Sequence, residues 1–284
     1  MKTIVLFNSK SNNGQGEKEA KALAEILKDK ELEFQDILKI SYFEGFLNSL
    51  DKDDEVVICG GDGTLNHFIN DTYELDIKND IYFYPTGSGN DFYRDIKGGD
   101  SKEPVKINEY IVNLPVVKVK GKTYRFLNGV GYGIDGYCCE VGDKQRAESD
   151  KPVNYTSIAI KGLLFHYKPT NATVTVDGQE YKFKKVWLAP TMNGRFYGGG
   201  MMPTPAQQRI SDDKKLSVMI MSGSGKIPTL IAFPKIFEGK HVDNKMTTVL
   251  EGKKIKVEFD SPTALQVDGE TILGVRACKI KCVS

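Results

Sequence analysis

Three polar, glycine-containing segments, each following an apolar run, are the parts of this sequence best suited to chemistry. They read NSKSNNGQG (8–16), GGDGTLN (60–66) and PTGSGND (85–91). Glycine lets a ligand approach the backbone, and a helix that follows such a loop presents unpaired N–H groups and a partial positive charge. Together the segments indicate a polyphosphate site, although a tight strand-to-helix turn would explain any one of them alone.

Asp62 stands between glycines in the second of these segments. A carboxylate beside phosphate groups repels them unless it binds a cation or takes up a proton. The alternative is a structural role, in an Asx-turn or as a helix N-cap. None of the segments fits GxxxxGK[ST], or GxGxxG with the flanks of a dinucleotide-binding unit, so neither a P-loop nor a standard Rossmann fingerprint is predicted.

The N-terminal part of the chain alternates short apolar runs with helical patterns, which is typical of a parallel sheet covered by helices. Strands are predicted at 3–8, 34–40, 55–59 and 81–85, and helices at 17–29, 41–50, 64–74 and 90–96. Ser41 and Glu44 have the spacing of a capping box. The three polar segments would then lie at the carboxyl edge of the sheet, where ligands bind in such folds.

The pattern changes near residue 110, where paired strands predominate. Strands are predicted at 215–221, 253–259, 263–272 and 276–283, a hairpin turns at Asp177–Gly178, and helices are predicted at 152–165 and 227–237. We therefore predict an N-terminal α/β domain over 1–109 and a C-terminal, mainly β domain over 110–284.

Composition excludes several classes of protein. The net charge of +1 gives no broad basic field, so a nucleic-acid partner is not expected. No apolar run approaches the roughly 20 residues of a transmembrane segment, and the N-terminus becomes polar too early for a secretory leader. The odd number of cysteines, five without a CxxC pair, favours a reducing compartment, hence the cytoplasm. Three scattered histidines do not suggest a zinc site.

GGDGTLN followed by PTGSGNDFYR resembles the diacylglycerol kinase catalytic domain, which bacterial lipid kinases share with sphingosine and ceramide kinases. NGVGYGIDG (128–136), GGGMMPTPAQQRISDD (198–213) and QVDGE (266–270) resemble later blocks of that family, in the same order. GGDGT also occurs in NAD kinases, but its combination with GSGNDF and a late DGE is specific to the lipid-kinase branch. The resemblance implies an NAD kinase/diacylglycerol kinase-like α/β domain, a β-sandwich domain and a cleft between them.

The resemblance also implies the reaction and its residues. ATP and Mg²⁺ would be the cofactors, and a lipid hydroxyl, diacylglycerol by default, would be the acceptor. The nucleotide would contact Asn8, Ser9, Lys10, Gly60, Gly61, Asp62, Gly63 and Thr64. The substrate side would be lined by Thr86, Gly87, Ser88, Gly89, Asn90 and Asp91. Glu270 corresponds to the proposed general base, and Asp62 to an acid needed across the family.

One segment departs from the family pattern. Where relatives commonly read Asp-Gly-x-Leu-Asp, this chain reads DKKLS, with Lys214 in place of glycine and Ser217 in place of the second aspartate. In the bacterial branch this segment helps to bind a structural Mg²⁺. Asp213 remains as a candidate metal ligand, and a turn residue is the alternative.

Two other functions stay open on the sequence. An NAD kinase is disfavoured by the GSGNDF segment, and a catalytically silent relative that binds nucleotide or lipid is disfavoured by the intact Asp62 and Glu270. A lipid kinase of this kind would associate peripherally with the membrane that holds its substrate during catalysis. No basic run strongly marks anionic-lipid binding. The oligomeric state is also open, with a homodimer among the alternatives.

Overall fold

A computed structural model describes residues 1–87, 89–98, 103–149 and 153–283. Contacts divide the chain into two compact units, Met1–Val112 and Asn113–Ser284. Among the described residues, no helix is both long enough and apolar enough to cross a lipid bilayer.

The first unit is built on a five-stranded sheet with the order β2-β1-β3-β4-β5. Its strands are β1 (Thr3–Phe7), β2 (Leu32–Asp36), β3 (Glu55–Gly60), β4 (Asp80–Pro85) and β5 (Val105–Lys106). The first four are parallel, and the short β5 is antiparallel to β4. Every residue of β1 is buried, as expected for a parallel strand covered on both faces.

Short helices connect these strands. They are α1 (Ser11–Gly14), α2 (Gly16–Ala22), α3 (Phe43–Asn48), α4 (Asp62–Asp71), α5 (Asp91–Ile96) and α6 (Asn108–Ile111). Ala20 of α2 and Leu23 just after it pack with Val5 and Val57 of the sheet. This burial orients the chain between β1 and β2, and with it the loop that follows β1.

Two local predictions for this unit are wrong. The predicted capping box does not form, because α3 begins at Phe43 after Tyr42, and Glu44 accepts a hydrogen bond from the Tyr42 hydroxyl at 2.6 Å. The predicted second strand ends early at Asp36, whose carboxylate accepts the N–H of Leu38 and caps a 3₁₀ turn. In both places a local side-chain hydrogen bond helps to set the boundary of the element: the start of α3 and the end of β2.

The second unit is an antiparallel sheet with its own buried core. Its strands are β6 (Val116–Val119), β7 (Lys122–Arg125), β8 (Gly129–Tyr132), β9 (Thr170–Val176), β10 (Gln179–Val186), β11 (Thr191–Met192), β12 (Leu216–Met221), β13 (Thr247–Gly252), β14 (Lys254–Val267) and β15 (Glu270–Lys281). The main order is β13-β12-β11-β8-β14-β15-β6-β7, and β9 pairs with both β14 and β10. One buried cluster joins Val117, Val174, Val218 and Val257 from four different strands. The fold class predicted for each unit is confirmed.

The second unit also contains a long helix that the sequence did not predict. Its helices are α7 (Ile134–Glu148), α8 (Tyr155–Lys161) and α9 (Lys226–Ala232). Gly136 and Gly142 lower the helix propensity of α7, but packing requires them. A Cβ on Gly136 would lie 2.0 Å from the Ala264 carbonyl oxygen, and one on Gly142 would lie 2.7 Å from the Tyr155 ring. The predicted helix at 152–165 corresponds to α8 and a π turn over Gly162–His166; residue 152 lies outside the described residues.

Candidate functional site

The three glycine-containing loops predicted at the carboxyl edge of the parallel sheet are joined by hydrogen bonds. The side-chain amide of Asn8, after β1, donates to the Thr64 hydroxyl at 3.3 Å. The N–H of Thr86, after β4, donates to the Gly60 carbonyl oxygen at 2.9 Å. The three segments are therefore held next to one another in the first unit.

Asn8 organises the first loop. Its Oδ1 accepts the N–H of Lys10 at 3.0 Å while its amide reaches the second loop. The N–H of Ser9 lies 3.4 Å from a carboxylate oxygen of Asp36 at the end of β2. Gly16 allows this arrangement, since a Cβ there would lie 1.9 Å from the Asn8 carbonyl oxygen. The loop is thus held by its neighbours, and the side chain of Lys10 is exposed to solvent.

Different physical causes explain why glycine occupies its positions in the second and third loops. A Cβ on Gly87 would lie 2.5 Å from the Gly61 Cα, so the two backbones touch and position 87 has no room for a side chain. A Cβ on Gly60 would meet the Thr64 side chain at 2.5 Å. Gly63 is the contrast, because a Cβ there would have no atom within 4 Å among the described residues. Packing does not explain Gly63, whereas close approach of a ligand to the N-terminus of α4 does.

The Asp62 carboxylate binds the N-terminus of the neighbouring helix α5. Its two carboxylate oxygens accept the N–H of Asp91 at 2.7 Å and that of Phe92 at 3.1 Å, at the start of α5. The residue before α5, Asn90, has a φ of 45° and supplies no side-chain cap. Asp62 therefore caps α5 from another loop, which differs from both local roles considered for it on the sequence.

Two polar atoms of the third loop suit contact with a ligand. The hydroxyl oxygen of Thr86 and the amide oxygen of Asn90 are inaccessible to solvent and have no hydrogen-bond partner in the part of the chain that the structure describes. Buried polar atoms normally have partners, so these two indicate groups that a ligand satisfies. Gly89 lies between them and is partly exposed, and Ser88 lies outside the described residues.

In the second unit, Glu270 lies at the turn of the long β14–β15 hairpin. Asp268 and Gly269 form this turn with φ values of 45° and 96°, and the Glu270 side chain is exposed. The Asp268 carboxylate accepts the N–H groups of Asn128 at 2.8 Å and Gly129 at 2.9 Å, together with that of Leu127. These charge-assisted bonds fix the turn that presents Glu270.

A buried carboxylate supports the same turn from the other side. Gln266 accepts the N–H of Gly269 at 2.7 Å, and its amide donates to Asp135 of α7 at 3.0 Å. Burial raises the pKa of Asp135 to about 6, against the opposing effect of the Gln266 hydrogen bond. Asp135, Gln266 and Asp268 had no role predicted from the sequence, although all three lie in the segments NGVGYGIDG (128–136) and QVDGE (266–270).

Comparison with known proteins accounts for both units. Residues 2–120 match the family "Diacylglycerol kinase catalytic domain", and residues 128–283 match "YegS C-terminal NAD kinase beta sandwich-like domain". The chain belongs to the diacylglycerol kinase catalytic-domain family. Both domains of the family are present, in the order that the sequence motifs indicated.

Individual relatives in this family are distant. The chain is 24% identical to "Putative lipid kinase YtlR" of Bacillus subtilis (strain 168) over 76% of its own length and 73% of the relative's. It is 25% identical to "Diacylglycerol kinase" of Mycobacterium tuberculosis (strain CDC 1551 / Oshkosh), over 72% of this chain and 67% of that one. A solved structure described as "a putative diacylglycerol kinase from Bacillus anthracis str. Sterne" superposes with a TM-score of 0.67 at 20% identity, covering 100% of this chain and 92% of the other. That superposition shows a shared fold.

The structural Mg²⁺ site that the family resemblance implied has no fitting donor set here. The carboxylate of Asp213 lies 3.1 Å from the Lys215 ammonium and accepts the Ser211 hydroxyl at 2.9 Å, and the Lys215 contact lowers its pKa. Ser217 is buried, and its hydroxyl donates to the Gln207 amide oxygen at 2.6 Å. The described residues contain no group of three or more His, Cys, Asp or Glu side chains that could hold a metal ion. A neutral hydrogen bond thus occupies the position at which the family resemblance implied a second carboxylate.

Proposed function

We propose that the protein is an ATP-dependent lipid kinase that transfers the γ-phosphoryl group to a lipid hydroxyl, with diacylglycerol as the default acceptor. The observation that carries the proposal is the hydrogen-bonded union of the three loops through Asn8–Thr64, Gly60–Thr86 and Asp62–Asp91. Relatives named diacylglycerol kinase and lipid kinase support it. We place the enzyme in the cytoplasm, in peripheral contact with the membrane that holds its acceptor.

The nucleotide would bind along the first and second loops. The open space beside Gly63 lets a phosphate oxygen approach the first N–H groups of α4, a helix of ten residues. Asn8, Ser9, Lys10 and Thr64 would complete the contacts from neighbouring positions. Mg²⁺ bound to the nucleotide would neutralise charge on the phosphates, as phosphoryl transfer requires.

The acceptor hydroxyl needs a group that takes its proton, and we assign this role to Glu270. The acceptor oxygen attacks the γ-phosphorus, its proton passes to the Glu270 carboxylate, and the bond from the γ-phosphorus to the bridging oxygen breaks to release ADP. Asp268 and Gln266 keep the hairpin turn in place during this step. Asp62 acts by holding the third loop, whose Thr86 and Asn90 would line the substrate side.

The test is a phosphorylation assay with labelled ATP, Mg²⁺ and separate acceptors: diacylglycerol, ceramide, sphingosine and NAD. We expect label in a lipid product, and we expect Glu270→Gln to lower turnover about 10²- to 10⁴-fold. Glu180→Gln is the matched control, because Glu180 is an exposed glutamate beside the Asp177–Gly178 turn of the β9–β10 hairpin. It should retain full turnover.

The same assay separates the alternatives. Label in NADP and in no lipid would replace the proposal by an NAD kinase. Folded protein that binds nucleotide in calorimetry with an affinity unaffected by Mg²⁺, and that labels no acceptor, would identify a catalytically silent relative. Equal turnover by Glu270→Gln and Glu180→Gln would remove the role assigned to Glu270.

A further inference from the structure

The outer face of the second unit's sheet gathers basic side chains from distant parts of the chain. Strand pairing sets Lys256 opposite Lys279, Lys279 opposite Lys118, and Lys254 opposite Lys281. We define the basic face as Lys118, Arg125, Lys254, Lys256, Lys279 and Lys281. All six line one open groove of about 720 Å³ on strands β6, β7, β14 and β15.

The alternation of side chains along the strands explains why these residues share one face. Ile255, Val257 and Ile280 are 2% exposed or less and belong to the core of the unit. Successive residues of a strand point to opposite faces, so the lysines between them point outward. The β14–β15 hairpin thus buries one row of side chains and presents a row of charges on its other side.

This arrangement opposes folding. Like charges directly opposite each other on neighbouring strands destabilise a sheet, and three such lysine pairs lie side by side here. The pairs lie on β14, β15 and β6, which are not edge strands of the sheet. Any uncharged polar residue at these outward positions would leave the packing of the core unchanged. A cost of this kind is expected where binding of an anion repays it.

Few carboxylates compensate for these charges within the described residues. Lys256 forms an ion pair with Glu258 at 2.5 Å. Lys118, Lys279 and Lys281 have no carboxylate within 4 Å in the part of the chain that the structure describes, and the lining of the groove includes no acidic side chain. Lys118, Lys279 and Lys281 are therefore available to an external polyanion.

The width of the basic face and the side chains that line it favour some classes of polyanion over others. The lysines lie on three adjacent strands, each about 5 Å from the next, so the face is wide enough for several phosphates at once. A second copy of the same face would be repelled by it. The described groove lining contains no aromatic side chain on which a base could stack, so single-stranded nucleic acid is a poor match. A two-dimensional array of phosphates fits the face best.

We propose that the basic face docks on the phosphate headgroups of an anionic phospholipid bilayer. The inference rests on the proposed function, because an acceptor dissolved in a bilayer has to be reached at the bilayer surface. Each basic residue near an anionic leaflet adds affinity, and salt screens the attraction. Because these residues come from three separate parts of the sequence, no continuous run of basic residues predicts the basic face.

The test is flotation of the full chain with vesicles of phosphatidylcholine, with or without phosphatidylglycerol. We expect binding to the anionic vesicles only, and loss of that binding at high salt. The variant with Lys118→Gln, Lys254→Gln, Lys279→Gln and Lys281→Gln should bind on the order of 100-fold more weakly. The control carries Lys18→Gln, Lys52→Gln, Lys235→Gln and Lys245→Gln, which remove the same charge from exposed positions elsewhere, and should bind as the unaltered protein does.

The melting temperature of each variant shows whether a loss of vesicle binding comes from the lost charges or from a loss of folding. Removal of the opposed lysine pairs should leave the melting temperature of the first variant unchanged or raised at low salt, because repulsion within the sheet is lost. If that variant fails to fold, the double variant Lys118→Gln, Lys281→Gln provides the comparison, with a smaller loss of binding. Equal binding of the basic-face and control variants overturns the inference, as does binding of single-stranded RNA at the basic face without vesicle binding.

Activity distinguishes failure of this inference from failure of the proposed function. Phosphorylation of diacylglycerol in neutral detergent micelles should survive the basic-face substitutions, while phosphorylation in anionic vesicles should fall. Charge-dependent vesicle binding without kinase activity would keep the inference and reject the proposed function. Kinase activity in micelles by a protein that never binds anionic vesicles would do the reverse.

Discussion

Asp62, after β3, accepts the backbone N–H of Asp91 at the start of α5, with 2.7 Å between Oδ2 and N. Its other oxygen accepts the N–H of Phe92 at 3.1 Å. A carboxylate at a helix N-terminus interacts favourably both with the unpaired N–H groups and with the helix dipole. The bond therefore joins two loops of the candidate nucleotide and substrate sites into one structural unit.

Asp62→Asn tests this relationship. The amide retains a single acceptor oxygen and no charge, so we expect a loss of about 1–2 kcal/mol in the free energy of unfolding. Turnover should fall further than stability explains, because the third loop is released. Denaturant unfolding and the lipid phosphorylation assay measure the two effects. Asp71→Asn, at the exposed far end of the same helix α4, is the control and should change neither. Full activity of Asp62→Asn would contradict the role of this acid.

Gly63→Ala and Gly87→Ala should change stability in opposite directions. Alanine at 63 enters open space in the first turn of α4, so it should stabilise the ligand-free protein by about 0.5–1 kcal/mol. Alanine at 87 meets the Gly61 backbone, so it should destabilise the protein by about 1–3 kcal/mol. Both should weaken ATP binding in calorimetry. If Gly63→Ala bound ATP normally, the phosphates would not approach this helix.

The glycine loops were predictable because their chemistry is local. Each lies within about ten residues, directly after an apolar run, and parallel strands bring such loops to one edge of the sheet. Helix α7 was not predictable in the same way. In the sequence, Gly136 and Gly142 argue against a helix. In the structure, β14 and Tyr155 leave no room for side chains at these two positions. Tertiary packing there outweighs local propensity.

The residues that hold the turn at Glu270 could not be predicted from the sequence, for a different reason. Asp135 is 131 residues from Gln266, and Asp268 is 140 residues from Asn128. No pattern within a window of the sequence joins such pairs. The lysines of the basic face are likewise brought together only by strand register. The motifs indicated which segments matter, and pairing between strands determined what each contributes.

Mg²⁺ without nucleotide should leave the melting temperature unchanged relative to EDTA. The reason is that Asp213 is engaged by Lys215 and Ser211, while Ser217 and Gln207 satisfy each other. Ser217→Asp should destabilise the metal-free protein, because it buries a charge beside an amide oxygen, and Mg²⁺ should then restore part of the loss. Thermal unfolding with and without Mg²⁺ measures this. A Mg²⁺-dependent rise in the unaltered protein that Asp213→Asn abolishes would instead establish Asp213 as a ligand.

Asp135 should make the protein less stable as pH rises from about 4 to about 6. Burial raises its folded pKa to about 6 from an ordinary value of 3.8. Between these values the folded state keeps a proton that the unfolded state has released, so stability falls with increasing pH, and the penalty is complete above pH 6. A shift of about two units corresponds to roughly 3 kcal/mol.

Asp135→Asn removes this titration while it retains an oxygen that can accept from Gln266. We expect the variant and the unaltered protein to have similar free energies of unfolding near pH 4, and the variant to be more stable near pH 7. Asp143→Asn, on the same helix but with its carboxylate in a half-exposed pair with Arg146, should follow the unaltered protein at both pH values, since such a pair contributes little. Denaturant unfolding across this pH range gives the three curves. Parallel curves for Asp135→Asn and the unaltered protein would show that the Asp135 carboxyl group titrates alike in the folded and unfolded chains.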